Sequence, residues 1–294
     1  MGSVKPLGHG ARVSNATEPA ALFPGQGSHT PEMRELVAQR APELLEKVIE
    51  LVGEDPFARV EENTRFAQPA IFCASVVGWD ALDLAPSAAA GHSLGELAAL
   101  VAAGVLKRDD ALELVVLRGK LMGEARNGSM LALVGATLED ARAIADEGGV
   151  TVANDNAPGQ VVLSGSIEDL DKTEAIANER KTRVIRLDVA GAFHSPAMAP
   201  AAEPFRAALD EVEVSEPSFT VFSCASAAPF SDVREELAGA LTRPVRWRET
   251  VIAMHEAGAP SFVEVGPGKV LARMGKRILK GVPSETPAEG LVHA

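Results

Sequence analysis

Gly91-His92-Ser93-Leu94-Gly95 reads G-x-S-x-G. Small residues flank a serine in this way where a strand turns sharply into a helix, because larger side chains would collide there. Such a turn exposes the hydroxyl and aims the following backbone N–H groups at the same point. The chemistry on offer is nucleophilic attack on an acyl carbonyl. So short a pattern recurs by chance, and its surroundings decide its weight. After Ser93, the apolar residues Leu94, Leu97, Ala98, Val101, Ala102 and Val105 fall at helical spacing. Ser93 therefore opens a helix, whose positive end favours a developing oxyanion. The plainer alternative is a serine N-cap. The strand expected before it, residues 88–90, is all alanine and weak by propensity.

A serine nucleophile needs a base, and there are six histidines. His9 and His293 lie near the chain ends, and His29 and His255 lie in polar surroundings. His92 adjoins the serine, so at a sharp turn its side chain should point elsewhere. His194 follows a strand-like run, residues 184–189, and a Gly191-Ala192 turn, which suits a base carried on a loop.

Arg118 carries the sharpest single signal. Ala111, Leu114, Val115, Leu121 and Met122 form the apolar stripe of a helix beginning near Asp109, and Arg118 falls within it. A cation on an apolar face is costly unless an anion meets it. That anion is either an internal carboxylate or a substrate held bidentately by the guanidinium. Two glycine-rich turns, residues 23–28 and 264–269, each follow a short apolar strand, residues 20–23 and 261–263. Neither fits a dinucleotide fingerprint or a P-loop, so both read as tight turns near a site.

These residues need elements to position them. The chain has 294 residues, 46% of them hydrophobic, enough for a large domain or a large domain with a smaller one inserted. Apolar runs alternate with helical patterns, which predicts an α/β architecture. Residues 128–188 change character: strand 130–134, helix 138–146, strand 150–154, strand 160–164, helix 167–178, strand 183–188. That βαββαβ order predicts a ferredoxin-like unit inserted into the larger α/β domain, whose elements resume near Phe205. Residues 1–18 and 281–294 lack periodicity and read as loose tails.

A formal net charge of −13 argues against general binding to nucleic acid or to an anionic membrane. An anionic partner would need a local basic patch. Arg273, Lys276, Arg277 and Lys280 offer one, with a solvated helix face as the plain alternative. Cys73 and Cys224 are the only cysteines, in no metal-ligand spacing, which fits a reducing compartment. No run approaches the roughly 18 apolar residues of a membrane helix, and no secretory lead is recognised. A cytoplasmic location is the expectation.

The motifs together resemble those of the malonyl-coenzyme A:acyl carrier protein transacylases of fatty acid synthesis and the related acyltransferase domains of polyketide synthases. The matching stretches are residues 23–28, 68–70, 90–97, 117–122, 154–164, 193–198 and 264–280. The resemblance implies Ser93 as nucleophile and His194 as base, with an oxyanion hole from the backbone N–H groups of Gln26 and Leu94. It implies that Arg118 binds the free malonyl carboxylate. Gln68, Met122, Asn154 and Asn156 would lie near the acyl group, and Phe193 would match the malonyl-preferring form of the motif.

In this family a backbone carbonyl orients the histidine, and the matching position is Ala257. The implied fold is an α/β-hydrolase-like core, residues 19–127 and 193–280, carrying a ferredoxin-like subdomain at 128–192. The implied partners are malonyl-coenzyme A and acyl carrier protein, with no metal or other cofactor, and the chain is expected to act as a monomer. The long polar lead and the absence of tyrosine depart from the family pattern without touching the site. Three other outcomes stay open: an acyl hydrolase on the same scaffold, a silent docking subunit, and a polyketide acyltransferase with another extender unit.

Overall fold

The computed structural model describes residues 17–287. His9, His293 and most of the two expected tails lie outside the described residues. The chain begins with β1 (Ala20–Phe23), α1 (Met33–Arg40), α2 (Pro42–Val52), α3 (Thr64–Asp80), β2 (Ala89–Gly91), α4 (Gly95–Ala102) and α5 (Arg108–Gly123). It continues through β3 (Gly128–Val134), α6 (Leu138–Gly148), β4 (Thr151–Ala157), β5 (Gln160–Ser166), α7 (Ile167–Glu179) and β6 (Arg183–Leu187). It then runs through α8 (Ala199–Glu211), β7 (Val221–Ser223), β8 (Ala228–Pro229), α9 (Val233–Gly239), α10 (Trp247–Glu256), β9 (Phe262–Glu264), α11 (Val270–Ile278) and β10 (Ser284–Glu285).

The first sheet has the order β10-β9-β1-β2-β7-β8, parallel except for β8. Strands β1, β2 and β7 are short and wholly buried, so they read as largely apolar runs rather than alternations. Ala21, Phe23 and Ala89 face one cluster, which takes in the apolar faces of α3 and α5. Ala20, Leu22 and Ala90 face another, built on Trp247, Val251 and Met254. Strand β2 forms although alanine is a poor strand former: Ala89 and Ala90 stand between Ala21 and Leu22 on one side and Val221 and Phe222 on the other. Tertiary pairing here overrides propensity. Helix α3 is buried almost all round, Cys73 included, which is why its sequence shows no polar face.

The second sheet is antiparallel in the order β4-β5-β3-β6, with β6 on β3 and β4 on β5. Its elements follow one another in the βαββαβ order expected from the sequence. Alternation along β3 divides its duties. Leu131 and Leu133 pack with Ile144 and Leu170 of α6 and α7. Met130 and Ala132 turn the other way and line a cavity against the first sheet.

The second sheet is tied to α11, α10 and the segment before α10 by more than chain connections. Asp155 N–H donates to Val245 O (2.9 Å), and Val245 N–H donates to Ala153 O (2.8 Å). Arg248 pairs with Asp155 at 2.8 Å, and Arg277 donates to Gln160 Oε1 (2.7 Å) and Pro158 O (2.6 Å).

One expectation needs correction. Residues 284–285 are not loose but form β10, parallel to β9, with Ser284 1% exposed. A two-residue strand has no periodicity to read. It forms because β9 has a free edge, to which Phe262 N–H donates across to Pro283 O at 2.9 Å.

Candidate active site

Strands β1, β2 and β9 point the same way, so the loops at their carboxyl ends converge, which is where open parallel sheets bind ligands. The loop after β2 carries Ser93. A Cβ on Gly91 would sit 2.0 Å from the carbonyl carbon of Gly95, and one on Gly95 2.2 Å from the carbonyl oxygen of Phe23. Only glycine fits either position. Ser93 itself has φ 54°, in the left-handed region that side chains other than glycine rarely adopt and that stores strain at functional turns. Among the described residues no backbone carbonyl outside a helix or strand accepts from the N–H of Gln26 or Leu94, and both residues line the cavity that Ser93 faces.

His194 comes to Ser93 from the loop before α8. Its Nε2 lies 2.8 Å from Ser93 Oγ, and its Nδ1 lies 2.9 Å from the carbonyl oxygen of Ala240. A carbonyl only accepts, so Nδ1 carries the proton and Nε2 is free to take one from the serine. Burial holds the imidazole neutral, with its pKa lowered to about 3, and the Arg118 cation pushes in the same direction. A hydroxyl bonded to a neutral, oriented imidazole has the geometry that a nucleophile and its base require.

The orienting carbonyl was expected at Ala257, and this is corrected to Ala240. Ala257 caps α10, whereas Ala240 caps α9. The last carbonyls of a helix lack intrahelical partners, so Ala240 O is available to a side chain. A backbone acceptor leaves no mark on residue type, so which helix end meets His194 is not readable from the chain.

Arg118 sits on α5 and is 3% exposed. Its Nη1 donates to Gln68 Oε1 (2.6 Å) and its Nη2 to Ser93 Oγ (3.0 Å). Among the described residues no carboxylate forms a salt bridge with it. Burial pushes its pKa down to about 10, opposed by the field of Glu96. Glu96 is itself buried, raised to about 7 by desolvation, and accepts a hydrogen bond from Cys224 N–H (2.8 Å). A guanidinium has five donors, so the fork retains capacity for an anion beside the serine.

The cavity in front of these groups measures about 370 Å³. Gln68, Met122, Asn154, Asn156 and Phe193 line it together with Ser93, His194 and Arg118; Ala257 does not. His92 lines it too. Its Nε2 lies 2.8 Å from Asn156 Oδ1 and its ring packs on Trp247, so it links the two sheets rather than serving Ser93. His29 pairs with Glu61 and His255 with the Ala259 carbonyl, both away from the cavity.

Several lining residues escaped sequence reasoning. Leu271 and Met274 of α11, and Met130 and Val162 of the second sheet, contribute apolar wall. In sequence they look like any core residue, and no signal marks them.

A family model described as the acyl transferase domain matches residues 31–291. Malonyl CoA-acyl carrier protein transacylase of Haemophilus influenzae is 37% identical over 286 residues, covering 88% of this chain and 92% of that protein. Polyketide biosynthesis protein ThaF of Burkholderia thailandensis is 34% identical over 290 residues, covering 92% of this chain but only 25% of that protein. A solved complex of a type II polyketide synthase acyl-carrier protein with its malonyl-transacylase superposes with a TM-score of 0.83. It is 33% identical and covers 92% of this chain and 94% of that one. The chain belongs to the acyl transferase family that includes the malonyl CoA-acyl carrier protein transacylases, and it shares their mixed α/β fold.

Among the described residues no helix is long and apolar enough to cross a membrane.

Proposed function

We propose that this protein transfers a malonyl group from malonyl-coenzyme A to the phosphopantetheine thiol of an acyl carrier protein, through an ester on Ser93. The observation that carries the proposal is the buried Arg118 guanidinium, 3.0 Å from Ser93 Oγ and without a carboxylate partner among the described residues. A cation so placed awaits an anionic acyl group.

In the first half-reaction Ser93 Oγ attacks the thioester carbonyl while His194 Nε2 takes its proton. The Gln26 and Leu94 N–H groups hold the oxyanion. Its collapse breaks the C–S bond, and His194 returns the proton to the leaving thiolate of coenzyme A. In the second half-reaction the carrier thiol gives its proton to His194 and attacks the malonyl ester. Ser93 leaves and is reprotonated. The Ala240 carbonyl keeps His194 in the required tautomer throughout. The product supplies extender units for fatty acid synthesis. Relatives named for polyketide biosynthesis make a polyketide pathway the second reading.

Within this proposal the second sheet with α6 and α7, residues 128–192, is a ferredoxin-like subdomain inserted into an α/β-hydrolase-like core, residues 19–127 and 193–280. The carrier protein would dock over the exposed basic side chains of Arg273, Lys276 and Lys280, beside the cavity wall formed by Met274. The enzyme would act as a cytoplasmic monomer. One chain brings all the site residues together, and both cysteines are free and buried.

The direct test is intact-mass analysis after mixing with malonyl-coenzyme A and no acceptor. The wild-type chain is expected to gain one malonyl group, and Ser93→Ala none. An alanine variant that still became acylated would refute the nucleophile assignment. Rapid loss of the adduct to water would favour a hydrolase instead.

A second expectation concerns the α-carbon. Phe193 is 6% exposed and its ring faces the cavity, where it would crowd an α-methyl branch. One methyl in a fitted pocket is worth about 1–3 kcal/mol, or roughly 10- to 200-fold. Malonyl should beat methylmalonyl by a factor in that range in kcat/KM, and equal values would remove the claim.

A further inference from the structure

A chain of hydrogen bonds runs behind the site, and one of its members does not line the cavity. Thr64 opens α3 and is 4% exposed. Its Oγ1 donates to Gln26 Oε1 (2.8 Å) and accepts from Gln68 Nε2 (2.9 Å). A hydroxyl has one proton to give, so an amide oxygen on one side and an amide nitrogen on the other set the direction of the chain. The second Nε2 hydrogen of Gln68 meets Met122 Sδ at 3.3 Å, a weak acceptor. Gln68 Oε1 then faces Arg118 Nη1 at 2.6 Å, and Arg118 Nη2 reaches Ser93.

The opposite orientation of the Gln68 amide is disfavoured at both ends. Its NH2 would meet the guanidinium donor against donor. Its oxygen would face a hydroxyl whose proton is committed to Gln26. The Thr64 hydroxyl thus selects the Gln68 orientation that presents an acceptor to Arg118. The same hydroxyl holds the side chain of Gln26, a residue otherwise exposed in the turn after β1.

Building on the malonyl-transfer reading above, we propose that Thr64 is a positioning residue that ties the oxyanion turn at Gln26 to the carboxylate clamp at Arg118. Without its hydroxyl, Gln68 Nε2 keeps only a thioether partner, and the amide is no longer held in place against Arg118. The fork then loses its fixed acceptor, and the Gln26 turn loses its side-chain anchor. Malonyl transfer uses both ends of the relay. Transfer of a neutral acyl group uses only the oxyanion end.

The test compares Thr64→Val, which keeps the shape, Thr64→Ala, which relieves it, and Thr64→Ser, which keeps the hydroxyl. The N-cap of α3 is Asn63, so none of the three removes it. Transfer is measured with malonyl- and acetyl-coenzyme A, with circular dichroism to establish folding. Loss of a buried polar partner predicts a fall of about 10- to 100-fold in malonyl kcat/KM for the valine and alanine variants. A smaller fall is expected with acetyl, and Thr64→Ser should recover most of the malonyl rate. Wild-type rates in the valine and alanine variants would overturn the relay. So would equal losses for both donors with no rescue by serine, because that pattern is loss of packing. A wild-type chain that takes up no malonyl group would instead sink the transfer reading on which the relay rests.

Discussion

Arg118→Ala is expected to collapse malonyl transfer and raise transfer of acetyl or longer neutral acyl groups, reversing the donor preference. In the free site the guanidinium is buried on an otherwise apolar helix face, held by Gln68 and by Ser93. A malonyl ester on Ser93 would place its free carboxylate within reach of that fork, and two parallel hydrogen bonds can form. An acetyl group would bury the cation without an anion, at a cost of several kcal/mol. Where a polar site group loses its partner, discrimination reaches the order of 10⁴, and that is the expected preference of the wild-type enzyme for malonyl over acetyl.

Arg118→Lys should rescue only part of it, because an ammonium lacks the planar fork. The competing possibility is a structural pairing with an internal carboxylate, for which buried Glu96 is the candidate. Its field does oppose the lowering of the Arg118 pKa, but its hydrogen bond goes to Cys224 N–H. If that field were the purpose of Arg118, alanine there would destabilise the fold and slow all donors alike. A folded Arg118→Ala enzyme that still preferred malonyl to acetyl would rule out the carboxylate clamp.

His194→Ala is expected to lower the transfer rate by roughly two to four orders of magnitude, the usual scale for a general base. The residue is the partner of Ser93 Oγ at 2.8 Å and is held by a carbonyl rather than a carboxylate. No folded Asp→Asn or Glu→Gln variant should therefore match that loss through chemistry. Glu96→Gln is the most demanding case, since Glu96 lies three residues beyond Ser93. Its amide can still accept from Cys224 N–H through its oxygen, so a moderate loss is expected. Steady-state transfer with malonyl-coenzyme A and a carrier thiol measures both variants. An acidic-residue variant as slow as His194→Ala would overturn the model of a carbonyl-oriented base.

The sequence by itself determined the kinds of groups in the site. Glycines at 91 and 95 were legible because any Cβ there would overlap backbone. Arg118 was legible because a cation within an apolar stripe violates the helix pattern. The βαββαβ order was legible because its strands and helices are long enough for their periods to show. The tertiary structure decided the remainder, wherever the interaction carries no mark on residue type. Strand β2 is made of alanines and a glycine and exists through its neighbours in the sheet. Ala240, not Ala257, meets His194, since every residue owns a carbonyl and only packing says which one is free. That no carboxylate among the described residues pairs with Arg118 is likewise a fact of space. In sequence, an internal anion and a substrate anion predict the same residue, and only the distances around a buried guanidinium separate them.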